Sequence, residues 1–92
     1  MIMDNQHRLT IPQNIRKMCE IEIGKEYYLI LEGNREFLLI KECEGRIIDK
    51  VKLDDKGRFY IPRSIIDIFA YRKVIMYCKK GKVGITIFKE DA

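Results

Sequence analysis

The feature that most constrains this chain is that it says one thing twice. "HRLTIPQNI", His7 to Ile15, returns as "GRFYIPRSI", Gly57 to Ile65, at an offset of fifty. Asp4 falls on Asp54, Arg8 on Arg58, Ile11 on Ile61, Pro12 on Pro62 and Ile15 on Ile65. Conservative matches surround these: Leu9 with Phe59, Asn14 with Ser64, Met18 with Ile68, Cys19 with Phe69. The match resumes with a changed offset where "REFLLIKE" meets "VGITIFKE". An ordered set of this kind marks an internal duplication, and that limits the folds open to the chain.

Each copy predicts the same small motif. A polar turn comes first, "DNQHR" or "DDKGR", in which Gly57 supplies a positive φ cheaply and His7 does so less easily. A short alternating strand follows, "RLTI" or "RFYI". Proline ends the strand and fits the first turn of a helix. Ile15, Met18 and Cys19, and likewise Ile65, Ile68 and Phe69, fall at the spacing of one apolar helix face. "EIGKE" turns the chain into a hairpin of "YYLIL", "EGNRE" and "FLLIKE". Copy two repeats it as "KVIMYC", "KKGKV" and "GITIFKE". Between the copies "GRIIDKVKL" alternates as a strand. A hairpin with one short helix cannot bury its own apolar face, and two packed together can. The expectation is one domain, 1–92, in which repeat one (1–43) and repeat two (44–92) share a core as an intrachain pseudo-dimer.

Composition narrows the function. A hydrophobic fraction of 47% supports a core. The apolar runs fall far short of the roughly 20 residues that span a bilayer. No charged-then-apolar leader opens the sequence, so an intracellular, cytoplasmic protein without a membrane partner is expected. Cys19, Cys43 and Cys78 are odd in number with no CxxC pair, and there is one histidine. Structural zinc and disulfides are therefore not expected, and the cysteines read as small hydrophobes. Ser64 has no base beside it, and no phosphate-binding glycine loop is present. The chain does not read as an enzyme, and no catalytic residue, cofactor or metal is assigned.

The net charge of +4 is uneven. Residues 1–43 hold six Lys/Arg against seven Asp/Glu, a net of −1, and residues 44–92 hold twelve against seven, a net of +5. The basic half favours an anionic partner.

The order turn, Arg, strand, Ile-Pro, short helix, glycine turn and hairpin resembles the AbrB/SpoVT superfamily of swapped-hairpin regulators. "DDKGRFYIPRSI" and "DNQHRLTIPQNIRKMCEIEIGKE" carry the likeness, with Arg16, Ile21 and Gly24 at family positions. The resemblance covers nearly the whole chain, once per copy. It implies a mainly β, AbrB/MazE/MraZ-like swapped-hairpin (double-split) β-barrel built from two tandem repeats, each with one short α-helix. It also implies a nucleoid-associated, DNA-binding transcriptional regulator that contacts duplex DNA through basic residues of both halves. The sequence departs from the pattern at His7, where glycine is usual, at Ile66 and Asp67, where a basic pair is common, and at "FAYRK". Copy one also has only Met1 to Met3 where a fuller leading strand is expected.

The candidate DNA-binding residues are Arg8, Arg16, Lys17, Lys52, Lys56, Arg58 and Arg63. Guanidinium forks suit phosphates and guanine edges. Arg8 and Arg58 have an alternative role as ion-pair partners of Asp4 and Asp54. Lys52, Lys56 and Arg63 stand where copy one has Ile2, Gln6 and Gln13, whereas Arg16 and Lys17 stand where copy two has Ile66 and Asp67. Asymmetric binding centred on the second turn follows. All of Lys56, Arg58 and Arg63 are expected to be exposed. The five tyrosines are expected to pack rather than to stack on bases. Two other functions fit the same residues: an antitoxin holding a toxin protein, and a protein-interaction module without DNA binding. Antitoxins of this build carry an acidic tail, whereas this sequence closes on "FKEDA". A homodimer through an exposed strand edge is a further expectation.

Overall fold

A computed structural model describes residues 3–33, 35–70 and 72–88. Met1, Ile2, Asn34, Tyr71 and the stretch 89–92 lie outside the described residues. The expectations at Ile2, at Tyr71 and in the last four residues of the closing "FKEDA" fall among them.

The elements in chain order are β1 (Arg8–Thr10), α1 (Gln13–Cys19), β2 (Glu26–Leu31), β3 (Glu36–Ile40), β4 (Ile47–Lys52) and β5 (Arg58–Tyr60). A 3-10 turn at Arg63–Ile65 then runs into α2 (Ile66–Phe69), followed by β6 (Val74–Lys79) and β7 (Lys82–Ile87). The protein is mainly β, as expected, with one short helix after each Ile-Pro. Its strands form two open sheets: a ribbon of β1 and β5, and a five-stranded antiparallel sheet in the order β4-β2-β3-β7-β6. Among the described residues neither sheet closes on itself.

Both sheets are built across the repeats. In the ribbon Leu9 opposes Phe59, and both side chains are fully buried. In the larger sheet the two hairpins meet through β3 and β7, where Phe37 opposes Ile85. β4, which introduces copy two, pairs with β2 of copy one. The helices cross over too: α1 of copy one packs on β6 and β7 of copy two. Phe69 of α2 meets Phe37 of β3, their ring centroids 5.1 Å apart. One core cluster therefore draws on both repeats, from Leu9 and Cys19 to Phe69 and Ile85.

α1 begins after Pro12 and ends at Glu20, which adopts the left-handed conformation (φ 55°). Ile21 N–H then donates to Arg16 O at 2.8 Å, a Schellman-type finish. Arg16 and Lys17 in the last turn complement the helix dipole. Ile15 and Cys19 turn inward. Met18 is 64% exposed, against the expectation that it shares the apolar face.

The cysteine expectation is also corrected. Cys19 and Cys78 form a disulfide between α1 and β6, with Cα atoms 5.7 Å apart, and Cys43 is free and exposed. The bond joins residues 59 apart in sequence. On the chain-entropy scale such a loop contributes about 4 kcal/mol. No described helix is long and apolar enough to cross a membrane.

Candidate nucleic-acid interface

The ribbon is positioned by two turns that repeat each other bond for bond. In the first, Asp4 Oδ1 accepts the N–H groups of Gln6 and Arg8, and Asp4 Oδ2 accepts Arg8 Nε at 2.8 Å. In the second, Asp54 Oδ1 accepts the N–H groups of Lys56 and Arg58, and Asp54 Oδ2 accepts Arg58 Nε at 2.7 Å. Burial pushes both carboxyls up, but the amide and guanidinium donors of Arg8 and Arg58 outweigh it and hold each below its ordinary value. The repeats then exchange backbone bonds: Ile11 N–H donates to Gly57 O at 2.9 Å, and Ile61 N–H to His7 O at 2.8 Å. Both turns need a positive φ, 63° at His7 and 77° at Gly57.

With Leu9 and Phe59 turned inward, strand alternation sends Arg8, Thr10, Arg58 and Tyr60 to the ribbon's outer face. Arg8 opposes Tyr60, and its guanidinium lies 5.9 Å from the ring centroid, a cation–π distance. Thr10 opposes Arg58. The two arginines are thus ion-paired through Nε and half-buried. Of the two roles left open for Arg58, the ion pair with Asp54 is present, and its side chain is 25% exposed rather than fully exposed as expected.

Arg16 crosses from α1 onto the second turn. A Cβ added at Gly57 would stand 2.8 Å from Arg16 Cζ, so the glycine makes room for the guanidinium as well as for the backbone angle. Arg16 Nε is buried without a hydrogen-bond partner in the described structure. Beside it, an open groove of about 1100 Å³ runs along α1 to the start of β2. Lys17, Lys25 and Lys41 line it with Glu20, Glu22 and Glu26. Lys25 pairs with Glu22, and Lys41 with Glu20 at 3.9 Å.

Of the seven candidates, the structure gathers Arg8 and Arg58 on the ribbon, Lys56 at the tip of the second turn and Arg16 against that turn. Lys17 is exposed on α1, and Arg63 is exposed at the start of the 3-10 turn. Lys52 belongs to the larger sheet instead, opposite Glu26 in β4. The expectation that the tyrosines pack is corrected at Tyr60, which is 62% exposed on the ribbon. Its place beside an arginine in an alternating strand was the available signal. Tyr27 is buried, with its hydroxyl accepting Glu22 N–H at 2.8 Å, and Tyr77 packs over Gly84. Among the described residues no cluster of three or more His, Cys, Asp or Glu could hold a metal. The chain matches no protein-family model, no curated protein and no solved structure.

Proposed function

We propose that this protein binds duplex DNA as a transcription regulator of AbrB-like build, through the ribbon and the turns and helix ends around it. The observation that carries the reading is the outer face of the ribbon. Two arginines related by the pseudo-twofold, held in one rotamer by Asp4 and Asp54, share that face with an exposed tyrosine. A guanidinium fixed through Nε keeps its other N–H groups for an acceptor in a defined direction. Arg16 adds a third cation with a buried, unsatisfied N–H, and Lys56, Lys17 and Arg63 add exposed charge. Copy two contributes Lys56 and Arg63, and copy one Arg16 and Lys17, so the binding surface is asymmetric.

The test is a salt series of binding isotherms on random duplex DNA. Lys56→Ala/Arg63→Ala is the informative variant, because both side chains are exposed and the fold survives their loss. It should lower affinity on every sequence and reduce the salt slope by about one per lost phosphate contact. Arg16→Ala/Lys17→Ala should weaken binding less. Wild-type binding that is absent at low salt, or unchanged in both variants, overturns the reading in favour of a protein-interaction module.

A further inference from the structure

The two edges of the five-stranded sheet are unlike. One edge is β4, which carries Asp49, Lys50 and Lys52 and a register break against β2 between Leu29 and Ile30. Charge and a bulge are the devices by which natural sheets refuse another strand. The other edge is β6, "VIMYCK", whose single charge is at its end. It pairs with β7 in unbroken register from Val74 to Lys79. It has no proline, no bulge and no inward charge. Ile75 on β6 and Phe88, which bonds Lys73 just ahead of it, are each 46% exposed.

The backbone shows which groups that edge offers. Phe88 N–H donates to Lys73 O at 2.9 Å, so Lys73 faces β7. By antiparallel alternation Ile75, Tyr77 and Lys79 also face β7, and the N–H and C=O groups of Met76 and Cys78 point away from the sheet. The pseudo-equivalent groups on β2 are covered by copy two: β4 pairs along it, and Leu31 N–H donates to Arg46 O at 3.1 Å. Among the described residues no strand does this for Met76 and Cys78.

We propose that this edge is the interface for a second copy of the chain, with β6 pairing antiparallel to β6. One register suits it. With Met76 opposite the other copy's Cys78, the four outward backbone groups of these two residues are bonded in each chain. Tyr77 then meets its own copy on the twofold axis, and Ile75 lies opposite Lys79. No like charges are opposed, and the exposed Ile75 gains the aliphatic stem of the lysine. The two larger sheets become one continuous sheet, and the twofold axis stands normal to it. Both ribbons therefore lie on the same side of the assembly.

The test is the mass of the full oxidised chain by light scattering or sedimentation across a concentration series, with circular dichroism as folding control. Wild type should reach twice the 11.0 kDa of one chain. Ile75→Lys sets lysine against lysine twice per dimer and should raise the dissociation constant about tenfold or more. Ile75→Glu faces Lys79 instead and should hold the dimer at least as tightly as wild type. Ile47→Lys, on the guarded β4 edge, should leave the mass unchanged. A wild type that stays monomeric at every concentration overturns the proposal, as does a dimer indifferent to Ile75→Lys or broken by Ile47→Lys. Equal weakening by lysine and glutamate at position 75 overturns the register. None of these outcomes depends on DNA binding.

Discussion

In copy one the turn carries His7, and the helix that crosses to the other repeat ends in Cys19. In copy two the same places hold Gly57 and Phe69. The backbone bonds around them agree to within about 0.2 Å: Asp4 N–H to Arg8 O at 3.0 Å against Asp54 N–H to Arg58 O at 2.8 Å, and His7 N–H to Asp4 O at 3.0 Å against Gly57 N–H to Asp54 O at 3.1 Å. The carboxylate–guanidinium pair is present in both copies. What has diverged is how each helix is fastened. α1 is tied to β6 by a covalent bond, and α2 is held to β3 by an aromatic contact. The turns hold the shared architecture, and the helix attachments are free to differ as long as each still bridges the repeats.

The strongest way to break this comparison is to remove the two attachments. Phe69→Ala leaves a cavity against Phe37 and should cost about 3–5 kcal/mol. Cys19→Ala/Cys78→Ala should cost about 2–4 kcal/mol, because the released loop regains its entropy. Urea unfolding measures both. Reductant should lower the wild-type midpoint and leave the double cysteine variant where it is. A wild type indifferent to reductant would mean that packing alone holds α1, as it does α2.

The turns give a smaller contrast with opposite signs. Gly57→Ala forces a Cβ into a left-handed backbone and against Arg16, and should cost about 1–2 kcal/mol. His7→Gly relieves the same backbone angle and should raise stability by up to about 1 kcal/mol. Thermal midpoints separate the two. A destabilised His7→Gly variant would show that the imidazole does more than occupy a turn.

The smallest effect is shared by both copies. Asp4 and Asp54 sit below their ordinary value of 3.8 when folded, so the stability they lend is complete above that pH. It is lost as pH falls through their lower folded values. Both carboxylates are partly solvated, which keeps the contribution small. Asp4→Asn and Asp54→Asn should each flatten the acid limb of a stability–pH curve, and by similar amounts. Unequal flattening would show that the two turns are less alike than their bonds suggest.

Local chemistry made much of this legible. Asp-x-x-x-Arg before a short alternating strand and an Ile-Pro gave both turns, both ribbon strands and both helix starts. The hairpins followed from their apolar runs. Crossing contacts did not, because periodicity marks which face of α1 is apolar but not which hairpin it meets. Cys19 and Cys78 lie far apart in the chain and look like any small core residues. Their pairing shows only once α1 is laid on β6. Met18 was misread: helical spacing assigns it to the buried face, but in α1 it is 64% exposed while its neighbour Cys19 is buried. At the ribbon, the arginines were visible as cations, while their tethering to Asp4 and Asp54 remained one of two open readings until the turn geometry was known.

The duplication within one chain has a consequence for how the molecule can change over generations. In a homodimer of separate chains every substitution appears at both symmetry-related places, so a residue good for one half and bad for the other is lost. Here each codon writes one half only. That freedom is visible in the exchanges at 7 and 57, 16 and 66, and 19 and 69. Arg16 can lie on Gly57 because its twin, Ile66, never had to share the arrangement with His7. The chain has inherited a symmetric scaffold without the obligation to stay symmetric, and each half is free to specialise separately.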